Sequence, residues 1–128
     1  MSLRSPLGKV LGSGSAKQGV QHWWLQRLTS VALVPLSIWF LASLLTLPSL
    51  DHATVVAWMA QSSTALLLIL LVLVGAWHSQ LGVREVVEDY VHGAGVRTVT
   101  LVVLGFAHVV IAAAGVVAVL KVALGAAS

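Results

Sequence analysis

The sequence predicts an all-α integral membrane protein with three transmembrane helices and a cytoplasmic N-terminus. Three observations lead there. Of 128 residues, 59% are hydrophobic and only 9% charged, with a mean hydropathy of +0.99. A water-soluble domain carries about 25% charged residues, so there is too little polar surface here to cover a globule in water. The chain also contains three apolar runs, each close to the roughly 20 residues that cross a hydrocarbon core of about 30 Å. Finally, the basic residues are placed unevenly. Arg4, Lys9, Lys17 and Arg27 precede the first run, Arg84 and Arg97 lie between the second and third, and the other side has only Lys121. By the positive-inside rule, the N-terminus and the 84–97 connection face the cytoplasm.

The elements follow in order within a single membrane-anchor domain, 1–128. Residues 1–27 form a cytoplasmic arm and interface. The arm is polar and rich in Gly and Ser (Gly12, Ser13, Gly14, Ser15), and it lies over a partner or the membrane surface. Its apolar content is low and the first run starts late, which argues against a cleaved signal peptide and for a retained first span. His22-Trp23-Trp24-Leu25-Gln26-Arg27 suits the headgroup layer, where an indole has one wet edge. The first span covers about 28–47. It contains Pro35, which a membrane helix tolerates when neighbours satisfy the freed carbonyl.

Pro48, Asp51 and His52 then form a short loop, and Trp58 and Met59 begin the approach to the second span, about 63–83. That helix continues to Val87 or beyond. Val91-His92-Gly93-Ala94-Gly95 breaks it, and the third span follows at about 99–120. There is no internal repeat. With no cysteine, the chain can hold neither a disulfide nor a thiolate-bound metal or iron–sulfur cluster.

The candidate functional residues lie mainly on the second span. A histidine at membrane depth is costly and is a functional suspect by default. Gly75, His78 and Gly82 share one helix face, and the small residues leave a flat strip on which a planar ring could rest. Neutral imidazole is a standard axial ligand of haem iron. The other reading of His78 is a packing histidine bonded to a carbonyl or hydroxyl of a neighbouring helix.

Asp89 and Tyr90 lie eleven and twelve residues further on. Eleven helical residues rise about 16 Å and return almost to the same face, which puts this pair at the cytoplasmic edge. A phenol there can donate to a quinone carbonyl and a carboxylate can handle protons; the plainer reading is an interfacial tyrosine and a solvated helix end. Arg27 is either a partner for an anionic group such as a haem propionate or a topogenic charge that snorkels. His108, at a depth similar to that of His78, is either a packing histidine or the second ligand of a haem held within this one chain. His22, His52 and His92 receive no role from spacing.

Taken together, Gly19-Val20, His22-Trp23-Trp24, Arg27-Leu28-Thr29-Ser30, His78 followed by Gly82, and Asp89-Tyr90-Val91 resemble a known family. It is the small hydrophobic membrane-anchor (cytochrome b) subunit of bacterial succinate dehydrogenase, the succinate:quinone oxidoreductase of complex II. The resemblance covers nearly the whole chain. It implies that His78 is an axial ligand of a haem b whose other ligand comes from a companion cytochrome b anchor subunit. It also implies that Tyr90 hydrogen-bonds ubiquinone, that Asp89 is the acid beside that pocket, and that Arg27 lies near the haem propionates and the quinone pocket. FAD and the iron–sulfur clusters would belong to a flavoprotein subunit and an iron–sulfur subunit, and the whole would sit in the lipid of the bacterial inner membrane. The resemblance supplies no role for His108. Two alternatives remain beside it: a structural anchor without haem or quinone, and a self-contained b-type cytochrome using His78 and His108.

Overall fold

The computed structural model describes residue 6 and residues 15–125, without the side chains of 15–18. Arg4, Lys9, Gly12, Ser13 and Gly14 lie outside the described residues, as do the side chains of Ser15 and Lys17. The described chain is helical nearly throughout: α1 (Ser15–Thr46), α2 (His52–Met59), α3 (Ser62–Tyr90) and α4 (Ala94–Gly125). The three long helices are the membrane spans, with mean hydropathies of 2.0, 2.0 and 2.5 in their apolar windows.

Each long helix overruns the apolar run that marks it in the sequence. A helix of 32 residues, the length of α1 and of α4, is about 48 Å long, well beyond the hydrocarbon thickness. The additional turns therefore stand in the headgroup layers. α1 begins at Ser15, so the second half of the expected arm, with His22, Trp23 and Trp24, continues the span. α3 runs unbroken to Tyr90. α1 also continues through Pro35, whose ring removes the bond to the Val31 carbonyl. Several hydroxyls turn back onto their own helix: Ser30 donates to the Gln26 carbonyl at 2.8 Å and Thr100 to the Val96 carbonyl at 2.7 Å. Such bonds satisfy the hydroxyl where no water reaches it.

The connection expected as a loop around Asp51 and His52 contains a helix. Asp51 is the N-cap of α2, accepting from the Thr54 amide at 2.8 Å. Hydrogen bonds from Thr54 hold the Asp51 carboxyl below its ordinary value of 3.8. Near the other end of α2, Trp58 stacks on Trp39 of α1, with ring centroids 6.0 Å apart, and also meets Phe40. The short helix is thereby held against the end of the bundle.

α3 is the centre of the arrangement. It packs against α1 on one side and α4 on another, and among the described residues the backbones of α1 and α4 do not come close to each other. The contacts with α1 descend in steps of three and four residues: Glu85 meets His22, Gly82 faces Gln26, His78 meets Thr29 and Gly75 faces Leu33. The contacts with α4 include Gln80 against Gly105, Ser79 with His108, and Val72 against Gly115. As the chain number rises on one helix it falls on the other, as antiparallel neighbours require. The two rows are separated by roughly a third of a turn around α3. Among the described residues the buried apolar side chains are few: Leu68, Leu81, Val87 and Val119. Most other large apolar side chains face outward, which suits a helix set surrounded by lipid tails as apolar as leucine.

Candidate functional site: the polar seam between α1 and α3

The seam between α1 and α3 carries an unusual number of polar groups for a membrane interior. At the cytoplasmic end His22 Nε2 lies 3.0 Å from Glu85 Oε1. One turn deeper, Gln26 places its Oε1 in a buried position with no hydrogen-bond partner among the described residues. Deeper again, His78 Nδ1 lies 2.8 Å from Thr29 Oγ1. Thr29 is only 4% exposed, one of the most enclosed polar side chains described.

The glycines beside His78 do not form the open strip expected from the sequence. Gly75 and Gly82 face α1, where Leu33 Cδ2 and Gln26 Nε2 lie 4.0 and 3.9 Å from the positions their Cβ atoms would occupy. The reason is the rotation of α3, which turns this face onto its neighbour. Their small size lets α1 come close. The imidazole is half-buried, and its Nε2 has no hydrogen-bond partner among the described residues.

His108 is differently placed. Its Nδ1 donates to the Leu104 carbonyl at 2.7 Å, so its Nε2 accepts from the Ser79 hydroxyl at 3.1 Å. Both nitrogens are engaged, and the side chain belongs to the α3–α4 contact. His78 and Ser79 are adjacent in sequence and about 100° apart around α3, so the two histidines serve different interfaces. The geometry does not bring them together as a pair. Among the described residues, no three His, Cys, Asp or Glu side chains cluster as metal ligands, and His78 stands as a single available donor.

Asp89 and Tyr90 end the same unbroken helix, both exposed, with Tyr90 at 77%. By helical geometry Asp89 lies about 16 Å along the axis from His78 and within about 20° of its face. Arg27 lies elsewhere. It points about 130° away from the α1 face that meets α3, and its guanidinium carbon stands 5.2 Å from the Trp23 ring centroid. Trp23 in turn meets Trp24 edge-on at 5.1 Å. Arg27 and the two tryptophans thus form an outward-facing surface, while His78 and Thr29 face inward. A cleft of about 510 Å³ at the cytoplasmic end is lined by Gln21, His22, Leu81, Arg84 and Glu88 among others. Arg84 there donates to Glu88 at 2.8 Å.

Sequence reasoning did not single out Thr29, Gln26, Ser79 or the His22–Glu85 pair as partners. Each is an ordinary residue type whose partner lies on another helix, and no local pattern announces it.

Three spanning helices, a polar seam beside a half-buried histidine and an acid–tyrosine pair at the helix end define a multi-pass membrane protein. The family model for the succinate dehydrogenase/fumarate reductase transmembrane subunit matches residues 1–120. The succinate dehydrogenase hydrophobic membrane anchor subunit of Rickettsia conorii is 31% identical over 116 residues, covering 90% of this chain and 92% of that protein. That of Paracoccus denitrificans is 33% identical over 122 residues, covering 95% and 94%. The succinate dehydrogenase membrane anchor subunit of Reclinomonas americana is 27% identical over 96 residues, covering 73% and 80%. The chain belongs to the family of succinate dehydrogenase/fumarate reductase transmembrane subunits. The expectation of a membrane-anchor subunit of succinate dehydrogenase, spanning the inner membrane several times, holds.

Proposed function

We propose that this anchor supplies one axial ligand to a haem b, through Nε2 of His78, and part of a ubiquinone site, through Asp89 and Tyr90. The observation that carries this reading is the state of the His78 ring. Its Nδ1 is engaged by Thr29, its Nε2 has no partner among the described residues, and the same helix leads without a break to Asp89-Tyr90. A half-buried imidazole with one bonded and one unbonded nitrogen has the donor character that axial ligation uses. The orphaned Gln26 Oε1, one turn toward the cytoplasm, offers an acceptor to a polar edge or a water beside a bound ring. Bound there, a haem supplies one-electron chemistry within the membrane.

His108 is already engaged at both nitrogens, so the second ligand is assigned to a companion cytochrome b anchor subunit. The self-contained cytochrome is correspondingly disfavoured. Arg27, on the outward surface with Trp23, is assigned to the propionate and quinone surroundings formed with that companion.

At the cytoplasmic edge, the Tyr90 phenol donates to a quinone carbonyl and the Asp89 carboxyl group relays protons that quinone reduction consumes. Both are exposed, so a partner can complete the pocket around them. Succinate oxidation, FAD and the iron–sulfur clusters are assigned to the flavoprotein and iron–sulfur subunits.

The deciding experiment is a reduced-minus-oxidised spectrum of the complex isolated through a tag on this chain, with and without His78→Ala. The expected result is a b-type spectrum that the substitution removes. Full haem content in the assembled His78→Ala complex would overturn the assignment.

A further inference from the structure

We propose that Thr29 is the positioning residue for His78: its hydroxyl oxygen accepts from Nδ1–H, selecting the tautomer that leaves a lone pair on Nε2. This inference rests on the proposed role of His78 and assigns to the first span a part in the ligand site.

The argument is an accounting of protons. Thr29 Oγ1 lies 2.8 Å from the Leu25 carbonyl oxygen, 3.0 Å from the Gln26 carbonyl oxygen and 2.8 Å from His78 Nδ1. Carbonyl oxygens only accept, whereas a hydroxyl has one proton to give and lone pairs to receive. Two oxygens 2.8 Å apart with no hydrogen between them repel, so the close approach to Leu25 commits the Thr29 proton to the backbone. Toward His78, Oγ1 is then an acceptor, and Nδ1 carries the ring proton. A neutral imidazole protonated at Nδ1 has its lone pair on Nε2. At 4% exposure, Thr29 is shielded from water that could compete for either bond.

The bond also fixes orientation. Thr29 is β-branched, so its χ1 is restricted, and its backbone-directed bond holds it further. A ring tied at Nδ1 to such a group cannot turn freely. His108 provides a contrast within the same chain: there a backbone carbonyl takes the Nδ1 proton and a serine hydroxyl occupies Nε2. The two histidines have the same tautomer, but only His78 has an unoccupied Nε2.

The test uses the complete complex, purified through a tag on this chain, with Thr29→Val, Thr29→Ser and His78→Ala. Thr29→Val keeps the shape and removes the acceptor. It is expected to weaken haem retention about tenfold to a hundredfold, the usual cost of losing an outer partner of a ligating histidine. It should also raise the midpoint potential of the remaining haem and change the low-spin ferric EPR g values, because a ring that no longer donates is a poorer electron donor to iron. Thr29→Ser restores the acceptor and should restore all three readouts. A valine variant with wild-type retention, potential and g values overturns the inference. If the valine variant does not assemble, Thr29→Cys, similar in size and a weak acceptor, is judged by the same readouts. A wild-type complex without b-type haem instead overturns the ligand role of His78 itself, so the two failures are distinguishable.

Discussion

Ser79 Oγ lies 3.1 Å from His108 Nε2, whose ring is tied at its other nitrogen to the Leu104 carbonyl. This contact joins α3 to α4, whereas the preceding residue, His78, joins α3 to α1. His108→Leu is therefore expected to leave the haem spectrum intact. It should cost less than about 2 kcal/mol in assembly, the range of interhelical hydrogen bonds in membranes. Bleaching as complete as that of His78→Ala would restore the single-chain cytochrome.

Tyr90 is exposed at the end of α3. Tyr90→Phe keeps the ring and removes the only donor. Ubiquinone reduction is expected to fall about fivefold to tenfold, as for the loss of a hydrogen bond worth about 1–1.5 kcal/mol, while succinate oxidation by a soluble dye continues. Parallel loss of both activities would point to faulty assembly and remove Tyr90 from the quinone site.

Gly115 faces Val72 so closely that a Cβ there would stand 2.7 Å from Val72 Cγ1. Valine in a helix has essentially one χ1 rotamer, so the side chain cannot easily swing aside. Gly115→Ala is expected to destabilise the α3–α4 contact by about 1–3 kcal/mol, read as a lower melting temperature of the complex in detergent. Adding Val72→Ala should recover much of the loss; no recovery would place the strain elsewhere.

Asp51 caps α2, and Thr54 holds its carboxyl below 3.8, first through its side chain and then through its backbone amide. Because the folded value lies below the unfolded one, the cap contributes fully above about pH 4. The contribution is lost as pH falls below 3.8 and through the lower folded value. Amide exchange at Thr54 and Val55 should thus show no cap-related change between pH 7 and 5. It should accelerate in Asp51→Ala and much less in Asp51→Asn, which keeps an accepting oxygen. Equal acceleration in both variants would refute the capping role.

The spans were legible in the sequence because crossing a membrane is a local requirement of length and apolarity. Where the boundaries differ, the difference is physical. The helices extend past the hydrocarbon because polar residues such as His22 and Glu88 continue a helix readily in the headgroup layer. The helix α2 was missed because it has only eight residues, too few for a helical period to show. Its one local signal was Asp51 three positions before Thr54. The Asp89-Tyr90 interval was also legible, since both residues and His78 lie on one continuous helix and helical geometry alone relates them.

The partners were not legible. The sequence by itself determined three spans, a deep histidine, an acid and a tyrosine at the helix end, and the resemblance to its family. Only the tertiary structure decided that α3 turns the Gly75–His78–Gly82 face onto α1, that Thr29 meets His78 and Ser79 meets His108, and that Arg27 points away from the seam. Those outcomes depend on how each helix is rotated about its own axis. That rotation is set by side chains meeting across helices that are remote in sequence. Span length, by contrast, is set within each helix by the thickness of the membrane.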